Sequence, residues 1–165
     1  MDLDMKKESK KLLVKKNKKI VMVSGGYDPI HIGHIRQLKA AKALGDKLVV
    51  FLNNDNWVKF KKGYVFMGEE ERKEILEGIK YVDEVIISNH KKNTKDISVV
   101  EGLKSIRPHI FAKGGDRHPD SVSIPTRETL VCKEIGCEIV YDVGVGGKVQ
   151  SSSELVKKAK LKIKK

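Results

Sequence analysis

The sequence predicts a doubly wound α/β fold, a five-stranded parallel sheet with helices on both faces. Two observations predict it. Short, continuously apolar runs recur along the chain, the pattern of strands covered on both sides. Between them lie stretches whose apolar residues repeat every three or four positions, as in helices that pack one face on a sheet. The length of 165 residues suits one domain with one core.

The elements follow in order. Ile20–Val23 (IVMV) reads as a buried strand ended by Ser24-Gly25-Gly26. From Ile32 to Leu44 the residues Ile35, Leu38, Ala41 and Leu44 recur at helical spacing, and Gly45-Asp46 stops that helix. Leu48–Leu52 is a second strand. Glu69–Ile79 is a charged helix with Ile75, Leu76 and Ile79 on one face, and Glu84–Ile87 is a third strand. Thr94–Ile106 reads as an amphipathic helix closed by Arg107-Pro108. His109–Ala112 starts a fourth strand that runs into Lys113-Gly114-Gly115-Asp116. Pro125–Ile135 is helical, with Pro125 suited to a first turn. Cys137–Tyr141 is the fifth strand and Ser151–Lys160 the last helix. The arrangement is Rossmann-like, and ligands of such sheets bind beyond the carboxyl ends of the strands.

The formal charge of +12 invites a nucleic-acid partner. Its distribution argues against one. Residues 1–19 hold eight Lys against Asp2, Asp4 and Glu8, residues 157–165 hold six Lys and no acid, and the body between is left near neutrality. A nucleic-acid surface places its basic residues on a folded face, whereas Lys runs at chain ends are solvated. We therefore expect a domain over residues 19–158 flanked by basic tails at 1–18 and 159–165. No apolar run approaches the ~20 residues that span a bilayer. MDLDMKKESKK lacks the apolar core of a secretory signal, so the expected location is cytoplasmic and no membrane partner is expected. Cys132 and Cys137 have no partner at metal-ligand spacing and read as small buried hydrophobes.

Two loops have the composition of phosphate sites. In SGGYDPIHIGHIRQL, residues 24–38, Gly25 and Gly26 follow a strand and a helix begins soon after, so its free N–H groups form an anion site. His31 and His34 share a helical face, and Gly33 leaves room between them. In GVGGKVQSSSEL, residues 144–155, glycines precede a helix start marked by the capping-box spacing of Ser151 and Glu154. Ser151, Ser152 and Ser153 offer hydroxyls and Lys148 a charge. A third loop, Lys113-Gly114-Gly115-Asp116-Arg117, offers close backbone approach, two cations and a carboxylate.

In this order these loops resemble the cytidylyltransferase-like nucleotidyltransferases with an HxGH signature, over nearly all of residues 19–158. GGYDPIHIGH fits the pattern G-x-F-D-x-x-H-x-G-H, with Tyr27 in place of Phe. LGDKLVVFLNND and the run EEERKEIL before YVDEVI are similar to the glycerol-3-phosphate cytidylyltransferases, whereas AKGGDR resembles the adenylyltransferase domain that makes ADP-heptose. The last motif departs from the family's Ser-Thr-Thr ending, with Lys148 near the place of an Arg.

The resemblance implies transfer of CMP or AMP from CTP or ATP to a phosphorylated acceptor, a sugar or polyol phosphate, with release of pyrophosphate. It leans slightly to CTP on the longer matching segments. Synthesis of a cofactor of FAD type is the alternative within the class, and a non-catalytic nucleotide- or nucleic-acid-binding protein the alternative outside it. As implied roles, His31 and His34 hold phosphate oxygens, Lys61, joined by Lys62, clamps the acceptor and triphosphate, and Arg72 binds phosphate. Ser24, Gly25, Gly26, Tyr27, Asp28, Gly33, Lys113, Gly114, Gly115, Asp116, Lys148 and Ser151–Ser153 surround the nucleotide. Mg²⁺ is the implied cofactor, with Asp28 and Asp116 as candidate ligands. A homodimer is a further expectation of the family.

Overall fold

The computed structural model describes residues 17–114, 126–144, 146 and 149–163. Gly115, Asp116, Arg117 and Lys148 lie outside these, as do the first 16 residues. The strands are β1 (Ile20–Gly25), β2 (Lys47–Leu52), β3 (Glu84–Ile87), β4 (Ile110–Gly114) and β5 (Glu138–Val143). The helices are α1 (Ile32–Lys42), α2 (Asp55–Lys62), α3 (Glu69–Glu77), α4 (Val100–Ile106), α5 (Arg127–Ile135) and α6 (Ser152–Ile163). All strand pairings are parallel, in the order β3-β2-β1-β4-β5. The direction of winding reverses between β1 and β4, where such sheets open a crevice.

Two apolar layers cover the sheet. On one face Val21, Val23, Val50 and Leu52 pack with Leu38 of α1 and Leu76 of α3. On the other, Met22, Phe51 and Phe111 pack with Leu103 of α4 and Val131 and Cys132 of α5. The alternation of successive strand residues between the two layers is the period of a β-strand. Gly102 belongs to the second layer for a steric reason, since a Cβ there would lie 2.8 Å from the Phe51 ring.

Three features differ from the sequence reading. The stretch after β2, to which the sequence reading assigns no element, forms α2. Asn54 caps it by accepting from Trp57 N–H, and Gly63 ends it in the left-handed conformation at φ 83°. Helix α4 starts only at Val100, so residues 94–99, expected to be helical, form an irregular strap instead. Trp57 donates its indole N–H to Ile97 O, Glu128 accepts from Val99 N–H, and Arg127 pairs with Asp96. Helix α6 continues to Ile163, so part of the expected C-terminal tail is helical.

The ends of β1 and β2 are tied by one side chain. Arg72 of α3 is 1% exposed. Its Nε donates to Met67 O, Nη1 to Gly26 O and Asn53 O, and Nη2 to Asp55. A buried guanidinium is tolerated only when so paired, and removing such a charge strands its acceptors. Arg72→Met is expected to lower unfolding free energy by about 3 kcal/mol, within the range for breaking buried charge pairs. Urea denaturation measures this, and a loss below about 1 kcal/mol, the scale of an exposed pair, would contradict the tie.

Candidate active site

The histidine motif forms the N-terminus of α1. His31 is the N-cap residue; its Nδ1 accepts from Gly33 N–H, while Nδ1 of His34 accepts from His31 N–H. The two imidazoles thus make a reciprocal capping box, a role usually taken by Ser or Thr with Glu or Gln. Because each Nδ1 accepts, each proton sits on Nε2, and that N–H is left to donate outward. The rings stack with centroids 3.8 Å apart, and the Tyr27 ring lies tilted against His34 with centroids 4.8 Å apart.

Burial, then the neighbouring His31 and Lys62, push the His34 pKa down to about 3. Burial and Lys62 also lower that of His31. Both rings are therefore neutral donors at physiological pH. Lys62, the last residue of α2, donates to Asp28 O at 2.8 Å, and its own pKa is lowered chiefly by burial. Its charge acts on both histidines, while Lys61 lies one residue away on the wall of a cleft.

That cleft, of about 760 Å³, opens at the carboxyl ends of β1, β2 and β4, on the α4/α5 side of the sheet. Ser24 and Asn53 lie at its floor, Trp57 and Lys61 of α2 form one wall, and the 95–99 strap with α5 forms the other. His31 and His34 do not line it. Gln37, one helical turn after His34, reaches it from α1, so the site has two halves joined across the end of β1. Lys113 and Gly114 belong to the cleft; Lys113 is 9% exposed and pairs with Glu128 at 3.0 Å. The two phosphate-type loops meet, since Ser152 Oγ donates to Pro29 O and Val149 approaches Gly33.

Several expected ligand groups are instead engaged by the protein. Arg72, expected to bind phosphate, spends its guanidinium on the buried tie. Asp28, a candidate metal ligand, is fully buried and accepts from Phe66 and Met67 N–H, both at 2.7 Å. Ser152 is buried, its hydroxyl given to Pro29, whereas Ser151 is partly open and Ser153 exposed at the start of α6. The glycines serve packing. A Cβ on Gly25 would lie 3.0 Å from Tyr27, on Gly26 3.3 Å from Val58, and on Gly33 3.0 Å from His31 and 3.1 Å from Val149. Tyr27 is buried beneath the loop, and burial raises its hydroxyl pKa. Among the described residues no group of three or more His, Cys, Asp or Glu side chains is placed to hold a metal ion. Sequence reasoning did not single out Gln37, Trp57 or Glu128 for the site. Trp57, the single tryptophan, carried the clearest unused signal.

A cytidylyltransferase-like family profile matches residues 22–158. The chain belongs to this family. It is thereby of the nucleotidyltransferase class. It is 39% identical to an FAD synthase of Thermococcus sibiricus over 127 residues, 76% of this chain and 81% of that protein. It is 38% identical to the bifunctional protein HldE of Pelobacter propionicus over 109 residues, 65% of this chain but only 21% of that longer protein. The chain thus spans about a fifth of the length of that relative. A lipopolysaccharide core biosynthesis protein from Thermoplasma volcanium shares the fold, with a TM-score of 0.61 at 24% identity, covering 78% of this chain and 99% of that one. Among the described residues no helix is long and apolar enough to cross a membrane.

The half-buried, neutral His34 has a consequence for stability. Its folded pKa lies below the unfolded value near 6.5, so the unfolded chain binds the extra proton between the two. The stability associated with the neutral ring is complete above about pH 6.5 and declines as the pH falls toward about 3. Thermal melts of the free protein over this range are expected to show the decline, and His34→Gln to flatten it. An equal pH dependence in both proteins would show that His34 titrates normally.

Proposed function

We propose that this chain transfers AMP from ATP to a phosphorylated small molecule and releases pyrophosphate. The observation that carries the reading is the tautomer lock. With both Nδ1 atoms accepting backbone N–H groups, His31 and His34 present two Nε2–H donors at the positive end of α1. A phosphate oxygen of the acceptor attacks the α-phosphorus of ATP. The new P–O bond forms as the bond to the bridging oxygen of the β-phosphate breaks, and pyrophosphate carries away that electron pair. No protein nucleophile is needed, because the acceptor phosphate is already anionic. The protein positions the groups and stabilises the developing charge. The histidines donate to oxygens of the α- and β-phosphates, and Lys61 and Lys62 of α2 draw the triphosphate and acceptor together. Ser151 and Ser153 at the start of α6 serve the distal phosphates. Mg²⁺, when bound with the triphosphate, neutralises part of its charge and keeps waters as ligands.

ATP is preferred here to CTP because the FAD synthases among the relatives are named for a product that contains adenine, and one is covered over most of its length. Those names also support a flavin-type acceptor beside the sugar or polyol phosphate that the motifs suggest.

His34→Ala is expected to lower turnover roughly a hundredfold or more, the scale for losing a preorganised donor. Because His34 also caps α1, the same change costs about 1 kcal/mol of stability, which calorimetry separates from the kinetic effect. Turnover near that of the unaltered protein would remove the histidine from the mechanism. For the base, titration calorimetry should give ATP at least tenfold tighter than CTP, about 1.4 kcal/mol. The reverse order would overturn the adenylyl assignment while leaving the class intact.

A further inference from the structure

Helix α2 carries two lysines toward the site, and its grip on the rest of the molecule is uneven. At about 100° per residue, Asp55, Val58 and Lys62 fall within about 60° of one another around its axis. Their contacts hold that side alone. Asp55 pairs with Arg72, Val58 packs where a Cβ on Gly26 would lie 3.3 Å from it, and Lys62 donates to Asp28 O. Val58 is the only buried residue of the helix. A short helix fastened along one line can roll about that line. Lys61 stands off the line, about 100° from Lys62.

What opposes the roll comes from the other wall of the cleft. Trp57 lies one turn before Lys61 and about 40° from it, so the two share a face. Its Nε1–H donates to Ile97 O at 2.9 Å, a bond that crosses from α2 to the strap. That carbonyl is itself held in place. His90 closes residues 90–98 into a loop, its Nε2–H donating to Ser98 O at 3.0 Å. With the proton on Nε2, Nδ1 accepts from Ser88 Oγ at 2.7 Å. Ser88 Oγ accepts from Asn54 N–H, and His90 O accepts from the side-chain amides of Asn54 and Asn56, both at 2.9 Å. Glu128 of α5 takes Val99 N–H at 3.1 Å. Helix α2 and the strap are thus joined twice, by the amides at the helix start and by the indole, with His90 between.

The distances make this brace matter for a rate more than for the fold. At ~6 Å from the helix axis, a roll of about 10° carries a side-chain group about 1 Å. A misplacement of about 1 Å can cost roughly a hundredfold in rate. Lys61 on α2 and Lys95 on the strap both line the cleft, and among the described residues neither has an ion-pair partner. Like charges repel, so the spacing of these two is not held by the pair itself.

We propose that Trp57 is a positioning residue, whose indole braces α2 against the strap held by His90 and so sets where Lys61 meets the triphosphate. This rests on the nucleotidyl-transfer reading above and adds to it a residue that acts through a lysine.

The test is a double-mutant cycle on the full chain, read by titration calorimetry with ATP in Mg²⁺. Trp57→Phe keeps an aromatic ring and removes the N–H. Lys61→Met keeps the stem and removes the charge. Each is expected to weaken ATP binding about tenfold, the scale of one charge-assisted contact. Because both act on the same contact, the double variant should lose about tenfold as well, not a hundredfold. Both single variants are expected to melt within a few degrees of the unaltered protein, since α2 buries only Val58. His90→Leu loosens the same brace from the strap side, should show the same coupling to Lys61, and serves where Trp57→Phe fails to fold. Losses that multiply to about a hundredfold would show that Trp57 does not act through Lys61 and would overturn the proposal. Unchanged affinity in either single variant would overturn it too, with nucleotidyl transfer left standing. Absence of ATP binding by the unaltered protein would remove the transfer reading and this role with it.

Discussion

The buried guanidinium of Arg72 is the constraint on which the site depends. Four acceptors surround it, and they come from four different places. Gly26 O lies in the loop after β1, Asn53 O in the loop after β2, Met67 O in the approach to α3, and Asp55 on α2. Loops at the carboxyl ends of parallel strands have no ladder to hold them. One planar cation with five donors in fixed directions can hold several at once. An ammonium with three rotatable donors could not impose the same geometry. The tie places α2, and with it Lys61 and Lys62, against the loop that carries the histidines. It also holds the backbone of Asn53 at the floor of the cleft.

Asp28 completes the arrangement from the other side. Its carboxylate is buried and accepts two successive amides of the 64–68 loop, while its carbonyl receives Lys62. The same short loop is thus fastened by a buried anion held by backbone amides and a buried cation held by three backbone carbonyls and the Asp55 carboxylate. Charge kept inside a protein is costly unless it is paired or hydrogen-bonded. Here both charges lie next to where phosphates would bind, and both are occupied with the fold. Among the described residues, Lys61 of α2 and Lys95 of the strap are cations without an ion-pair partner that line the cleft.

Much of this was legible in the sequence, and the remainder was hidden for a physical reason. The five strands were visible because burial on both faces makes each a continuous apolar run, as in LVVFL. The histidine motif was visible because its meaning lies in local spacing, two imidazoles three residues apart at a helix start. Helix α2 was missed because DNWVKFKK is only 8 residues long and buries only Val58. The 94–99 strap was mistaken for helix because what holds it is not local: Trp57, Arg127 and Glu128 are far away in sequence. The same holds for Arg72 and Asp28. Their residue types at those positions suggested ligands, but the partners that make them structural come from distant loops.

The histidines show why the two kinds of legibility meet at one place. As caps they need lone pairs on Nδ1 to satisfy orphan amides of α1, and this local requirement fixes their tautomer. Burial and the neighbouring Lys62 keep them uncharged. A neutral ring so held is a fixed dipole whose N–H already points outward, and in the proposed transfer it would need no reorganisation as negative charge grows on a phosphate oxygen. A charged pair would have repelled each other at a centroid separation of 3.8 Å and lost the caps. The geometry that ends the helix correctly is therefore the geometry that supplies the donors. Fold and chemistry at this point of the chain make the same demand on the same two side chains.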